Sequence, residues 1–169
     1  RFVQEGSRVA LIDRDGAALE RADLELPGAE LLLEADVSAP EAVQSAFREI
    51  DARLGGVDIL VSNAGISVRS GFSDITFEQW SKVLGVNLGG MFLCAREASK
   101  RMSTGGVILM TASTNGMEGH PFYADYNASK AGVILLAKTM ALEFAPLIRV
   151  NSVSPGYVLT PMQRAEYTP

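Results

Sequence analysis

Cysteine and histidine are almost absent from this chain: Cys94 and His120 each stand alone among 169 residues. One thiol cannot form an internal disulfide, and one thiol with one imidazole cannot supply a His/Cys metal centre. No metal is expected. No apolar run approaches the ~20 residues of a membrane-crossing helix, and no basic stretch leads into an apolar segment with a cleavage site. Lys and Arg are not clustered, and 15 basic against 20 acidic residues leave a formal net charge of −5. Nothing here would neutralise a phosphate backbone, so neither nucleic acid nor a membrane is expected as a partner, and the expected location is cytoplasmic. Internal repeats, Pro-rich or Gly/Ser-rich linkers and long charge runs are also missing, so residues 1–169 read as one domain. What is abundant is apolar: 47% hydrophobic against 21% charged residues supports a buried core and argues against disorder.

Five short apolar runs rich in β-branched residues, at 8–12, 31–35, 58–62, 106–111 and 148–154, predict buried strands. Val43, Phe47, Ile50 and Leu54 recur at helical spacing and define one face of a helix over 38–54. Ser38 and Glu41 read as a capping box at its start, and Gly55-Gly56 as its left-handed stop. Thr76 and Gln79 open a second helix in the same way. It runs through Trp80, Val83 and Leu84, past Asn87 and toward Met102, until residues 103–106 stop it. A last helix is predicted from near Asp125 to just before Pro146. Arg1 to Glu5 followed by Gly6 reads as the last turn of a helix and its cap, so the chain is expected to begin inside an element. Strands alternating with helices of this length call for a parallel sheet covered on both faces.

Tyr126 and Lys130 lie four residues apart on the last predicted helix, which makes phenol and ammonium neighbours on one face. A free phenol titrates near pH 10, so a phenolate working near neutrality needs ~4 kcal/mol of stabilisation, and a close ammonium is a source of it. Taken alone, such a pair is more often packing or surface than chemistry. Ser113 precedes Tyr126 by 13 residues at the end of the run 106–111, and strand ends in open α/β sheets carry ligands. Asn63-Ala64-Gly65 follows the run 58–62, and Asn87 opens an N-x-x-G segment inside a helix. Asp13 and Asp36 close the first two runs. Pro155-Gly156 closes the fifth, with Thr160 four residues beyond.

In this order and at these spacings the residues resemble the compact single-domain branch of the short-chain dehydrogenase/reductase family, over nearly the whole chain. The resemblance implies an α/β fold with a Rossmann-like doubly wound parallel sheet, and NAD(P)-dependent, reversible hydride transfer between nicotinamide and a secondary alcohol or ketone. It implies Tyr126 as acid/base and Lys130 as the group that lowers the phenol's pKa and holds the nicotinamide ribose. Ser113 matches the serine that hydrogen-bonds the substrate oxygen, and Asn87 the asparagine whose backbone holds a water linking the lysine to solvent. Asn63, Ala64 and Gly65 match the loop under the adenosine ribose, and Asp36 and Val37 the adenine contact. Pro155, Gly156 and Thr160 match the turn that seats the carboxamide. Asp13 suits a ribose 2′-OH and repels a 2′-phosphate, so NAD is expected over NADP; Arg14 beside it is read as a solvated surface residue. Asn115, Met117, His120, Phe122, Tyr123, Tyr157 and Met162 are expected to look into a mainly apolar pocket for a small-molecule substrate.

Three departures matter. Ser62 stands where the family has the first Asn of N-N-A-G. Tyr123 has Asn127, not Lys, four residues on, so it lacks the partner that Tyr126 has. The Gly-rich phosphate loop follows no strand, since Gly85, Gly89 and Gly90 fall within a helix. In the family that loop follows the first strand, which lies between the strands formed here by 8–12 and 58–62. The chain is therefore expected to lack the first and last strands and to leave backbone groups unpaired at the middle of the sheet. The alternatives are a 3-oxoacyl thioester reductase of the same family and a noncatalytic NAD-binding sensor or scaffold. The family also implies a homotetramer or homodimer assembled through the helices over 76–102 and 125–145.

Overall fold

In the computed structural model, which describes residues 1–25, 27–160 and 164, strands and helices alternate along the chain. Their order is β1 (Ala10–Asp13), α1 (Gly16–Glu25), β2 (Leu31–Glu34), α2 (Pro40–Leu54), β3 (Ile59–Ser62) and α3 (Phe77–Leu84). A π-helical stretch, Gly85–Gly90, then leads into α4 (Met91–Ser99), β4 (Gly106–Thr111), α5 (Ala124–Phe144) and β5 (Ile148–Val153). All strand pairs are parallel. β1 pairs with β2 from Ala10↔Leu31 to Asp13↔Glu34, and β4 is flanked by β3 and β5. Among the described residues nothing pairs β1 with β3. The described strands thus form two sheets, and Ile59 and Val61 of β3 are exposed.

Helices join what the strands do not. Val43, Phe47 and Ile50 of α2 pack with Cys94 and Ala98 of α4, and this cluster also gathers Ala10, Ile12 and Leu33 from one sheet and Leu60 from the other. Arg101 reinforces the seam: Nε donates to Asp51 at 2.7 Å, Nη1 to Glu97 at 2.8 Å, and the guanidinium lies over the Phe47 ring. Hydrogen bonds from Lys100 Nζ, the larger contributor, and from Arg101 Nη1 hold the Glu97 carboxyl far below its ordinary range, at about 2. A second cluster packs Met91 and Ala95 of α4 and Val133, Ala137 and Met140 of α5 against Ile108, Met110, Ile148 and Val150.

The element ends differ from expectation in three places. The Ser38 capping box does not form: α2 starts at Pro40, with Ala39 at the N-cap and no side-chain cap bond. Both the backbone N–H and the hydroxyl of Ser38 donate to Asp36, and Pro40 brings no N–H to its turn. Gly55, at φ 81°, does close α2 as predicted. The long helix expected toward Met102 is three pieces and ends at Ser99. At the start of the chain, Val3–Glu5 is a 3-10 turn closed by left-handed Gly6.

Candidate active site

Because the strands of each sheet are parallel, their carboxyl ends share one edge, and the cavity lies there. It measures about 520 Å³ and draws its wall from every strand end: Ile12 to Arg14, Ala35 to Val37, Asn63 to Ser67, Thr111 to Ser113, and Pro155, Val158 and Thr160. Val86 of the π-helical stretch, Asn115, and Tyr123, Tyr126 and Lys130 at the start of α5 complete it. Of the residues singled out in the sequence, Asp13, Asp36, Val37, Asn63, Ala64, Gly65, Ser113, Asn115, Tyr123, Tyr126, Lys130, Pro155 and Thr160 are thus brought to one wall. Met117, His120, Phe122, Tyr157 and Gly156 are not on it. Met117, Phe122 and Tyr157 are exposed, and His120 packs edge-on to Tyr157. Met162 lies outside the described residues.

Lys130 is only 3% exposed. Its Nζ donates to the Thr111 carbonyl at 2.7 Å, at the end of β4, and lies 5.6 Å from the centroid of the Tyr126 ring. Loss of water drives the ammonium pKa down to about 8. Gly65 brings the wall close to this group: a Cβ there would sit 3.3 Å from Asn87 Oδ1 and 3.6 Å from Lys130 Nζ.

Asn87 stands behind the wall rather than on it, fully buried. Its Oδ1 accepts from Ile66 N–H at 2.8 Å, and its Nδ2 donates to Ile66 O at 2.9 Å and to Ser129 Oγ at 3.1 Å. Ser129 in turn donates to the Tyr126 carbonyl at 2.7 Å. Ser113 Oγ accepts from the backbone N–H of Asn115 at 3.2 Å.

A family model described as short chain dehydrogenase matches residues 1–168. The chain belongs to the short-chain dehydrogenase/reductase family. A 3beta-hydroxysteroid dehydrogenase 1 of Eggerthella lenta is 41% identical, over 99% of this chain and 67% of that relative. An NADP-dependent (R)-specific alcohol dehydrogenase of Lentilactobacillus kefiri is 35% identical, over 96% of this chain and 68% of its own length. Among solved structures, a 3-ketoacyl-(acyl-carrier-protein) reductase from Brucella melitensis complexed with NADH superposes with a TM-score of 0.86 at 34% identity, covering 95% of this chain and 69% of that one. The chain spans between about half and about two thirds of the length of the curated relatives it matches.

Several residues of this dehydrogenase/reductase chain that the motif spacing did not single out hold the site in place. Asn127 accepts at Oδ1 from Asn115 Nδ2 (2.9 Å) and donates from Nδ2 to the His120 carbonyl (2.9 Å), tying the loop after β4 to α5. Gly116 lets that loop touch α5 directly, since a Cβ would come within 2.6 Å of the Lys130 backbone. Asp125, beside Tyr126, accepts from Gln79. Asn127 and Ser129 sit inside the motif between Tyr126 and Lys130, which was a usable signal. Gln79 and Asp125 are 46 residues apart, and no spacing rule connects them.

At the other end of the cavity, Asp13 Oδ1 accepts from Asp15 N–H at 3.0 Å, which fixes the carboxylate at the end of β1. Asp36 has its pKa lowered, first by the Ser38 hydroxyl, then by the Ser38 N–H and the nearby Arg14. Among the described residues no helix is long and apolar enough to cross a membrane, and no His/Cys/Asp/Glu group could hold a metal ion.

Proposed function

We propose that the protein is an NAD(P)-dependent oxidoreductase that moves hydride reversibly between nicotinamide and a small secondary alcohol or ketone, with Tyr126 as acid/base. The observation that carries this reading is Lys130, a nearly buried ammonium with a pKa near 8 set against the Tyr126 ring on the cavity wall. Burying an ammonium costs several kcal/mol, and a sensor or scaffold gains nothing from a group that titrates close to neutrality.

The wall suits both ends of a dinucleotide. Asp13, Asp36 and Val37 would take the adenosine side, Asn63 to Gly65 its ribose, and Lys130, Pro155 and Thr160 the nicotinamide side. Gly65 lets the loop lie close against Asn87 Oδ1 and Lys130 Nζ, which keeps that ammonium beside the loop where the ribose would rest. Among the described residues no Gly-rich loop after a strand cradles the phosphates. The nicotinamide, when bound, supplies the hydride donor or acceptor.

Tyr126 Oη takes the proton of the substrate hydroxyl in oxidation and returns it in reduction. Ser113 Oγ accepts from Asn115 N–H, which leaves its own hydrogen to donate to the substrate oxygen as charge develops there. Lys130 spends one N–H on Thr111 O and has two left, for a ribose hydroxyl and for the phenol. The Asn87 side chain is engaged by Ile66 and Ser129, so its share in proton exchange falls to its backbone. Asn115 and Tyr123 are the substrate contacts that the wall supports.

NAD is the favoured cofactor because the anchored Asp13 carboxylate suits a ribose diol and repels a 2′-phosphate. The reading also places the enzyme in the cytoplasm as a homodimer or homotetramer. The exposed apolar Leu135 and Leu142 of α5 and Phe92 of α4 support a second copy on that face.

Nicotinamide reduction, followed by absorbance with NAD or NADP and a panel of secondary alcohols, polyols, hydroxysteroids and 3-hydroxyacyl thioesters, tests the proposal. Tyr126→Phe is expected to lose turnover by roughly 10²–10⁴-fold with the NAD Kd unchanged. Comparable turnover in the variant would overturn the assignment.

A further inference from the structure

Asp125 is a carboxylate with no exposed surface in the first turn of α5, immediately before Tyr126. Among the described residues it forms no salt bridge, and two neutral donors hold it. Oδ1 accepts from the Tyr126 backbone N–H at 2.8 Å and Oδ2 from Gln79 Nε2 at 2.9 Å. The N-terminal dipole of α5 adds to their effect. A buried acid on neutral partners is a costly way to fasten two helices, and an apolar pair of similar volume would serve stability as well.

Gln79 departs from its own local pattern to make this contact. Its N–H is capped by Thr76 Oγ1, as a capping box predicts, but the side chain that would complete the box by returning to Thr76 crosses to α5 instead. A carboxylate only accepts, so Gln79 must turn Nε2 toward Asp125 and Oε1 toward Ser70, whose hydroxyl donates to it at 3.1 Å. Ser70 N–H in turn donates to the Phe122 carbonyl at 3.0 Å. Phe122 lies three residues before Asp125 and holds φ at +72°, a strained value for a side chain of this kind. The bonds therefore close a ring through the segment after Asn63-Ala64-Gly65, the start of α3 and the start of α5.

We propose that Gln79 and Asp125 are positioning residues which set the first turn of α5, and with it the Tyr126 phenol, against the Asn63–Ser67 side of the cavity. The inference rests on Tyr126 acting as acid/base but has its own readout. Gln79→Glu sets two carboxylates face to face. Combined with Asp125→Asn, it restores every bond, with the polarity reversed only between positions 79 and 125: the new amide donates to Glu, while Glu accepts from Ser70 and the amide oxygen accepts from Tyr126 N–H as before.

The test measures kcat, the NAD Kd and the ring-carbon NMR signal of Tyr126 in full-length protein carrying labelled tyrosine, the signal being identified by its loss in Tyr126→Phe. In Gln79→Glu, kcat is expected to fall by about tenfold or more, as for a small misplacement of a reacting group, with the NAD Kd unchanged and the Tyr126 signal moved. The double variant is expected to recover kcat to within about threefold, and the signal with it, as coupled partners do. If Gln79→Glu does not fold, Gln79→Asn, too short to span both partners, is read in the same way. An unchanged kcat and signal in the single variant, or no recovery in the double, overturns the proposal. If the wild-type protein turns over no substrate, the functional reading fails, and the NMR signal alone decides this one.

Discussion

The side-chain amide of Asn87 brackets Ile66, accepting from its N–H and donating to its carbonyl across 21 residues of sequence. One amide thereby holds an irregular loop in the register that a strand would otherwise impose. Through Ser129 the same amide reaches the carbonyl of Tyr126, so the wall under the expected ribose and the helix carrying the phenol share one anchor.

Asn87→Ala would leave both backbone groups of Ile66 without this partner in a part-buried setting. The expected loss is about 2–4 kcal/mol of stability, together with a higher KM for the dinucleotide. Urea unfolding and initial rates check it; a loss below about 1 kcal/mol would show that water replaces the amide at no cost.

Burial pushes the Lys130 ammonium down to about 8 in the fold, from an ordinary value of 10.5. Below pH 8 the group is charged in both folded and unfolded chains, and the fold bears the full desolvation cost. Above pH 10.5 it is neutral in both and the cost is gone. Wild-type stability should therefore rise relative to Lys130→Met between pH 8 and 10.5, by at most about 3 kcal/mol. Below pH 8 the variant should be the more stable protein and an inactive enzyme. Thermal melts of both proteins across that window would reveal the opposite slope if the geometry were wrong.

Gly116→Ala would place a methyl group 2.6 Å from the carbonyl carbon of Lys130, an atom of the helix backbone that cannot rotate away. The loop after β4 must lift, at a cost of about 1–3 kcal/mol, and displace Ser113 on the cavity wall that it shares with Tyr126. Gly119→Ala is the control, since nothing lies within 4 Å of its Cβ position. Equal kcat in the two variants would contradict the close approach.

Asp13→Ala should lower the ratio of kcat/KM for NAD over NADP by about tenfold or more, because it removes both a ribose acceptor and a charge opposed to the 2′-phosphate. Arg14, also on the cavity wall, would then be the nearest cation to that phosphate. An unchanged ratio would move cofactor choice to another residue.

Strands were legible in the sequence because short β-branched runs between turn residues have few other uses, and β4 coincides with its predicted bounds. Helix α1 was not, since Leu19 is its sole buried residue and it carries no periodic face. The cap at Ser38 was misread because Asp36, two residues back, competes for the same hydroxyl. At the site, Ser113, Tyr126 and Lys130 could be picked out because helix geometry and strand ends turn spacing into proximity. Met117, His120, Phe122 and Tyr157 could not be placed, because loop residues have no periodicity to say which way they face. Gln79 and Asp125 depend on how α3 meets α5, a relation that appears only in three dimensions.

The π-helical stretch from Gly85 to Gly90 also constrains how this chain can change length. A π turn holds more residues than an α turn, so deleting one residue there would let the segment relax into an ordinary α-helix. The helix beyond it would keep its face, because the wide turn with its extra residue and the ordinary turn without it sweep nearly the same angle, so Cys94 and Ala98 would stay against α2. Inside the stretch the side chains would be redistributed, and Asn87 would lose its line to Ile66. The extra residue therefore serves the loop under the cavity rather than the seam between the helices: a deletion between 85 and 90 should spare the fold of α4 and cost the anchor at Ile66.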